Sequence, residues 1–139
     1  MKNSIYLYLL AILFVTACNK KDFITTKDGV RLPPVTGLAL EKVSDTLVKL
    51  SWTNPGGIPP EIQQPLRIFI EVREILGVTR AITVYSTILE NAPTDFTYVL
   101  PDITKKYDFT VKMNGTANVT AVNLATEIFS TGQTVSYNQ

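Results

Sequence analysis

The sequence has no histidine and only one cysteine among its 139 residues. Histidine is the commonest general base near neutral pH and the commonest metal ligand, so its absence excludes Ser-His-Asp and Cys-His catalytic arrangements. A single cysteine cannot form an internal disulfide or a zinc site of several thiolates. The sequence also lacks a glycine-rich phosphate loop and calcium-loop spacing. We therefore expect no enzymatic activity, no cofactor and no bound metal.

An excess of charge of one sign is also missing. The chain carries 13 basic and 12 acidic side chains, and one of the basic residues is Lys2. No block of like charge occurs, so we expect no nucleic-acid partner. Of the carboxylates, Glu71 and Glu74 are close in sequence. An offset of three on a strand places them on opposite faces, which does not suit a paired-carboxylate mechanism.

The N-terminal segment has the pattern of an export signal. Lys2 is followed by an apolar stretch from Ile5 to Ala17. Those thirteen residues are fewer than the roughly 20 that a membrane-spanning helix needs. A positive end, a short apolar core and small residues before a break are typical of a secretory signal. The pattern predicts a signal peptide over residues 1–17.

The break itself, Val15-Thr16-Ala17-Cys18, places the single cysteine directly after two small residues. This resembles the lipobox of bacterial lipoproteins, in which the thiol receives a diacylglyceryl group and a peptidase cuts before the cysteine. The resemblance implies that Cys18 is the lipid attachment site and tethers the protein to a membrane, because two or three acyl chains anchor stably. The alternatives are a plain signal peptide or a cysteine buried in a core.

The residues after the cysteine bear on location. Asn19 instead of aspartate, by resemblance to lipoproteins of Gram-negative bacteria, implies the outer membrane. Lys20-Lys21-Asp22 resembles, with fewer acids, the export tag of surface lipoproteins of the Bacteroidota type. Both the periplasmic face and the cell surface stay open. Residues 18–32 are polar, and we interpret them as a flexible spacer.

Residues 33–139 are predicted to form an all-β domain. Short runs alternate apolar and polar residues and are separated by turn residues. The inward positions of the four clearest runs are Val48, Leu50 and Trp52; Leu66, Ile68, Ile70 and Val72; Phe96, Tyr98 and Leu100; and Tyr107, Phe109, Val111 and Met113. Residues 35–43, 80–88 and 126–137 supply three more. Seven strands with one wet face each predict a seven-stranded antiparallel β-sandwich.

Two segments resemble the fibronectin type III family. Residues 33–55 have a proline before the first strand and a Leu-x-Trp strand end followed by proline, here Pro34, Leu50, Trp52 and Pro55. Residues 99–115 have a Leu-Pro pair, a tyrosine, alternating apolar residues and Asn-Gly, here starting at Leu100. The resemblance implies an immunoglobulin-like sandwich with Tyr107 as a tyrosine corner, its hydroxyl bonded to upstream backbone. A different seven-stranded sandwich is the alternative.

Two long loops are expected to meet at one end of the sandwich, namely residues 54–65 and 114–125. In the first loop, Ile58 and Ile62 are candidate partner contacts, or they fold back over the end of the sandwich. In the second loop, Asn114 and Asn118 are candidate contacts. Prolines stiffen the first loop, which lowers the ordering cost of recognition.

One short motif suggests a modification. Asp45-Thr46-Leu47 resembles the acceptor used for O-glycosylation of exported proteins in Bacteroidota, which makes Thr46 a candidate site in the first hairpin turn.

These observations together favour a non-catalytic binding or adhesion module, lipid-anchored at the outer membrane, with an unknown protein or polysaccharide partner. The alternative is a structural accessory or spacer subunit of an outer-membrane complex, which would use a sheet edge or face.

Overall fold

The computed structural model describes residues 30–118 and 126–138 and consists of eight strands. Their bounds are β1 Thr36–Lys42, β2 Leu47–Thr53, β3 Arg67–Ile75, β4 Ala81–Leu89, β5 Asp95–Val99, β6 Lys106–Thr116, β7 Glu127–Phe129 and β8 Gln133–Tyr137. This part of the chain contains no helix that is long and apolar enough to cross a bilayer. The predicted signal peptide and most of the predicted spacer lie outside the described residues.

The strands form two antiparallel sheets. One has the order β1-β2-β5, and the other has the order β4-β3-β6, with β7 and β8 both pairing with β6. The two sheets enclose one core, so the predicted antiparallel β-sandwich is confirmed. The alternation in β2, β3 and β6 explains this, because every second side chain faces the opposite sheet.

The residues predicted to face inward are buried in the core, with one exception. Val48, Leu50, Ile68, Ile70, Val72, Phe109 and Val111 are completely buried, and Trp52 is 5% exposed. Tyr98 of one sheet meets Phe109 of the other edge-to-face, with ring centroids 5.6 Å apart. Phe96 differs from the prediction because it is only partly buried, near the outer edge of the three-stranded sheet. Phe96 lies in β5, an outer strand of this sheet, so no further strand covers it on that side.

The prediction of seven strands differs from the structure at the C-terminal end. Residues 126–137 form two strands, because Asn114 pairs with Phe129 but Val111 pairs with Gln133. Three steps along β6 therefore match four steps along the facing chain, and the ladder must break. At the break, the Ser130 amide donates to the Met113 carbonyl, and the Met113 amide donates to the Ser130 side-chain Oγ. Gly132 lies so close to β6 that an added Cβ would be 2.7 Å from Thr110 Cγ2.

The tyrosine corner is present only in part. The Tyr107 side chain is 1% exposed, as predicted, but its hydroxyl makes no hydrogen bond of ordinary length and angle within the described residues. Burial raises the pKa of this hydroxyl, and its contact with the upstream backbone of Asp102 lowers it by a smaller amount. The expected contact with upstream backbone is therefore present but weak, while the packing role of the ring holds.

Candidate functional site

The two long loops meet at one end of the sandwich, which we call the loop end and define as residues 54–66 together with 117–118. Ile62 forms an isolated β-bridge with Ala117. The Gln63 amide donates to the Thr116 carbonyl at 2.8 Å, and the Asn118 amide donates to the Glu61 carbonyl at 2.7 Å. These backbone bonds fasten the first loop to the end of β6. Residues 119–125 of the second loop lie outside the described residues.

The two isoleucines of the first loop are placed differently. Ile62 is 4% exposed and belongs to the core, whereas Ile58 is partly buried and packs against the core. Of the two alternatives, folding back over the end of the sandwich is the one observed for Ile62, so this residue is removed from the candidate partner contacts. Ile58 retains some exposed surface.

The two asparagines are also separated by burial. Asn114 is completely buried, and its amide nitrogen donates to Glu127 Oε1 at 3.1 Å. It is therefore a structural residue, and its assignment as a partner contact is corrected. Asn118 is exposed, and its side-chain oxygen accepts from Gln63 Nε2 at 2.6 Å. The sequence pattern placed both asparagines in a loop. In the structure β6 continues to Thr116, so Asn114 belongs to the strand and Asn118 lies beyond it.

Apart from two prolines, the exposed side chains of the loop end are polar. Glu61, Gln63, Gln64 and Asn118 all face solvent from a segment that is fixed at its base by Ile62. Such a surface offers hydrogen-bond donors and acceptors at small conformational cost, because the backbone is already ordered. It suits recognition of another polar surface.

The chain enters the sandwich at this same end. Leu32, the last residue of the predicted spacer, is 4% exposed and packs in the core. An added Cβ on Gly115 would lie 2.8 Å from Ile62 Cγ2, 3.0 Å from Leu66 Cδ2 and 3.2 Å from Leu32 Cδ1. These three side chains thus gather around Gly115, close to the loop end. Leu32 therefore lies beside the loop end.

Of the two candidate modification sites, only Thr46 lies within the described residues. Cys18 lies outside the described residues. Thr46 is exposed in the bend between β1 and β2, where its carbonyl accepts from the Leu100 amide at 2.8 Å. The side-chain hydroxyl of Thr46 is therefore accessible, while its backbone is held in place.

The carboxylates do not form a catalytic pair in this structure. Glu74 is 8% exposed and its Oε1 lies 2.8 Å from Lys105 Nζ, whereas Glu71 lies on the opposite face and accepts from Thr83 Oγ1 at 2.9 Å. The predicted separation onto two faces is therefore confirmed. Within the described ranges, no cluster of three or more acidic or cysteine side chains could hold a metal ion.

Sequence reasoning missed a surface at the opposite end of the sandwich. The hairpin between β3 and β4 borders a shallow cleft of about 360 Å³ that contains the side chains of Arg73, Arg80 and Lys106 together with Asp108. Val78 at the tip is fully exposed. The sequence pattern indicates this surface only weakly. Its three basic residues lie in β3, in the turn before β4 and in β6, and they become neighbours only in the folded sheet.

Comparison with solved structures defines the class of fold. Rat CD45 domains d3–d4 match with a TM-score of 0.54 at 16% identity, over 82% of this chain and 56% of that one. The fn3 domain of human collagen alpha-1(XX) matches with 0.51 at 17%, over 81% and 89%. The third fibronectin III domain of human KIAA0343 matches with 0.52 at 13%, over 82% and 88%. The domain is thus a sandwich of the fibronectin type III class.

The family is defined by the sequence itself. The family model DUF4945, described as a domain of unknown function, matches residues 18–137. The chain belongs to the DUF4945 family. No curated protein matches the chain. At the identities of the structural matches the likeness concerns the fold alone, and the chain spans 56% of the CD45 structure and 16% of a structure of titin kinase with its flanking domains.

Proposed function

We propose that this protein is a lipid-anchored envelope protein of a bacterium, whose sandwich is a non-catalytic binding or adhesion module for a protein or polysaccharide. The fold supports a module of this kind, since fibronectin type III-like domains commonly serve as binding or spacer modules. Fold alone does not determine function, so the argument rests on the loop end.

One observation carries the proposal, namely the fastening of the first loop to the end of β6. Hydrogen bonds of 2.8 Å and 2.7 Å hold the backbone on both sides of the buried Ile62. The side chains of Glu61, Gln63 and Asn118 are thereby exposed on an ordered base. A recognition surface of this type loses little entropy when a partner binds.

The tether is the second part of the proposal. Cys18 carries the lipid, and the family match begins at this residue, which is where the predicted mature chain begins. A fatty acyl group on its thiol and another on its new amine would hold the protein at a membrane. The outer membrane is the proposed location, at its periplasmic face or at the cell surface.

Replacing Cys18 tests the tether. The Cys18→Ser variant should leave the envelope fraction or remain unprocessed, and it should lose its incorporated labelled fatty acid. The control is Ser44→Ala, an exposed change in the body of the domain. If the Cys18→Ser protein is still processed at the same bond and still fractionates with envelopes, the anchoring proposal is wrong.

Replacing exposed side chains tests the recognition surface. The triple variant Glu61→Ala, Gln63→Ala and Asn118→Ala should abolish cross-linking of the anchored protein to its partner in intact cells, because it removes the polar contacts but keeps Ile62. The matched control replaces exposed side chains at the opposite end, with Thr79→Ala and Lys106→Ala. Cross-links that survive the loop variant but vanish in the control would overturn the proposal.

A structural accessory subunit of an outer-membrane complex is the second candidate, and the entry point of the chain favours it. Extended chain advances by at most about 3.6 Å per residue, so the segment from Cys18 to Val30 spans at most about 43 Å. The loop end lies beside Leu32 and is thus the end nearer the tether. An accessory subunit held in this way would contact its complex through a sheet edge or face, not through the loops. Envelope complexes that keep the protein in fixed stoichiometry after loop replacement would favour this role.

Glycosylation of Thr46 is a separate proposal. Its hydroxyl is exposed in the bend before β2, where a transferase can reach it. Intact-mass analysis of protein from the native organism should find a sugar mass on the peptide that contains Thr46, and Thr46→Ala should remove it. An unmodified peptide would refute the assignment.

A further inference from the structure

Strand β4 has a free edge. It is the terminal strand of the five-stranded sheet and pairs only with β3. Its nine residues, Ala81–Leu89, contain no charged residue, no glycine and no proline. A free edge exposes backbone donors and acceptors that can pair with another strand, and proteins usually protect such edges with charges or prolines. β4 lacks charges and prolines over its whole length, and its one protective feature is a bulge at Val84.

The other outer strands of the described sandwich differ from β4. The free strands of the three-stranded sheet carry charges, namely Glu41 and Lys42 in β1 and Asp95 in β5. On the far side of the other sheet, β8 contacts β1. The lack of protection is therefore specific to β4.

Several side chains of β4 are apolar and partly exposed. Ile82, Val84, Tyr85 and Ile88 are between 37% and 43% exposed, although each is a large apolar or aromatic residue. Val84 is the extra residue of a β-bulge, because Tyr85 pairs with Val72 and Thr83 pairs with Arg73. The bulge increases the local twist without adding charge.

Opposite charges stand at the two ends of this strand. Arg80 precedes β4 and Glu90 follows it, both are exposed, and neither forms an ion pair with any described residue. In a parallel pair of two such strands, like charges would meet at both ends. In an antiparallel pair, the arginine end of each strand would lie next to the glutamate end of the other copy. The charge pattern is therefore complementary to itself in the antiparallel orientation.

We propose that β4 is the interface of a symmetric homodimer, in which the β4 strands of two copies pair antiparallel and join the two five-stranded sheets into one. A twofold axis makes such an interface self-complementary. This inference concerns the body of the protein and does not depend on the lipid anchor or on the loop end.

The register follows from the faces of β4. Cross-strand partners must lie on the same face of a continuous sheet, and the pairing with β3 fixes which residues share a face. Centring the pair on Tyr85 and leaving Val84 unpaired satisfies this condition. The remaining pairs are Thr83 with Ser86, Ile82 with Thr87, and Ala81 with Ile88. Arg80 then lies opposite Leu89 of the second copy and next to its Glu90, just beyond these uncharged pairs.

Charge reversal tests this geometry. The full chain, purified in mild detergent, should be a dimer by light scattering after subtraction of the detergent. Arg80→Glu alone and Glu90→Arg alone should each weaken dimerisation about tenfold or more, because two exposed pairs change from attraction to repulsion. An equimolar mixture of the two single variants should form heterodimers, since their charges are complementary again. The double variant should also dimerise.

The control for total charge is Arg31→Glu, an exposed change away from β4, which should leave the dimer intact. A wild-type chain that is monomeric at tens of micromolar would overturn the proposal. A dimer that is unaffected by either single reversal, or single variants whose mixture stays monomeric, would also overturn it.

A charge within the strand provides an independent test. Val84→Lys should convert the dimer to a monomer, because two lysines would lie near the twofold axis. Val43→Lys is the matched control, since Val43 is 52% exposed in the turn after β1. The far-ultraviolet circular dichroism spectrum should be the same for both variants. A Val84→Lys protein that keeps its fold and remains dimeric would refute the β4 interface.

Discussion

At some positions of this sandwich, the neighbouring side chains determine which residue type fits, and Gly115 is the clearest case. It lies in β6 opposite Ile128, with the side chains of Leu32, Ile62 and Leu66 against its Cα. The position has no room for a methyl group, although the extended backbone conformation there does not itself require glycine. The glycine therefore allows the loop end and the chain entry to pack on β6. The same site holds the base of the candidate recognition surface.

Gly115→Ala should lower the free energy of unfolding by about 1–3 kcal/mol, which is the usual range for overpacking. The contacting atoms are side chains and can move, so the variant should still fold. Urea denaturation of the full chain measures the loss. Gly56→Ala is the control, since nothing lies within 4 Å of an added Cβ there, and it should change stability much less. Equal effects in the two variants would contradict the close packing at Gly115.

At the scale of the element, the C-terminal part of the second sheet is the most irregular. β7 and β8 both pair with β6, and Ser130 bridges the break between them. Its hydroxyl accepts from the Met113 amide at 2.9 Å and donates to the Thr131 carbonyl at 3.0 Å. This satisfies a buried backbone donor that a continuous ladder would have satisfied. β4 differs from these strands, because it has a free edge and a single bulge at Val84.

Ser130→Ala should destabilise the protein by about 1–3 kcal/mol, because it leaves the buried Met113 amide without its side-chain acceptor. Ser136→Ala, which removes an exposed hydrogen bond to Asp108, is the control and should cost less. Chemical denaturation compares the two, and hydrogen exchange should show faster exchange of the Met113 amide only in the first. Protection of that amide in Ser130→Ala would contradict this role.

At the scale of the whole molecule, stability depends on two sheets that share one aromatic core. Tyr98 and Tyr107 are both buried, and burial is the largest cause that raises the pKa of each hydroxyl. Because the folded-state values are raised above the unfolded value of about 10, their contribution is complete below about pH 10. It is lost as the pH rises further, through the folded-state pKa values.

The global free energy of unfolding should therefore fall above about pH 10, and Tyr107→Phe should make that fall shallower. Near pH 7 the same variant should lose little or no stability, because the Tyr107 hydroxyl makes only a weak contact with the Asp102 backbone and no hydrogen bond of ordinary geometry among the described residues. Urea denaturation at a series of pH values measures both effects. A marked loss of stability at pH 7 would instead indicate a working tyrosine corner.

The alternation of apolar residues determined most of the fold without tertiary information. In β2, β3 and β6 the inward residues were identified individually, because the period of two leaves only one assignment of faces. The separation of Glu71 from Glu74 follows from the same period. Residues 126–137 were predicted as a single strand, whereas they form β7 and β8. The break between these strands arises from their pairing with β6, and the local sequence pattern does not contain that information.

The candidate contacts show where sequence reasoning stops. Ile62, Asn114 and Asn118 all lie in segments that read as loops, and no local pattern distinguishes them. Their burial was decided by tertiary packing, since Ile62 fills the space that Gly115 leaves and Asn114 is enclosed beside Glu127. Only Asn118 of these three remains exposed.

The sequence by itself determined the period of the strands, and with it the β class and the inward faces, because alternation is a local property of an extended chain. Only the tertiary structure decided which loop residues are exposed, which end receives the chain from the side of Cys18, and which strand has a free edge. These depend on contacts between segments far apart in sequence, and no local pattern of residues specifies such contacts.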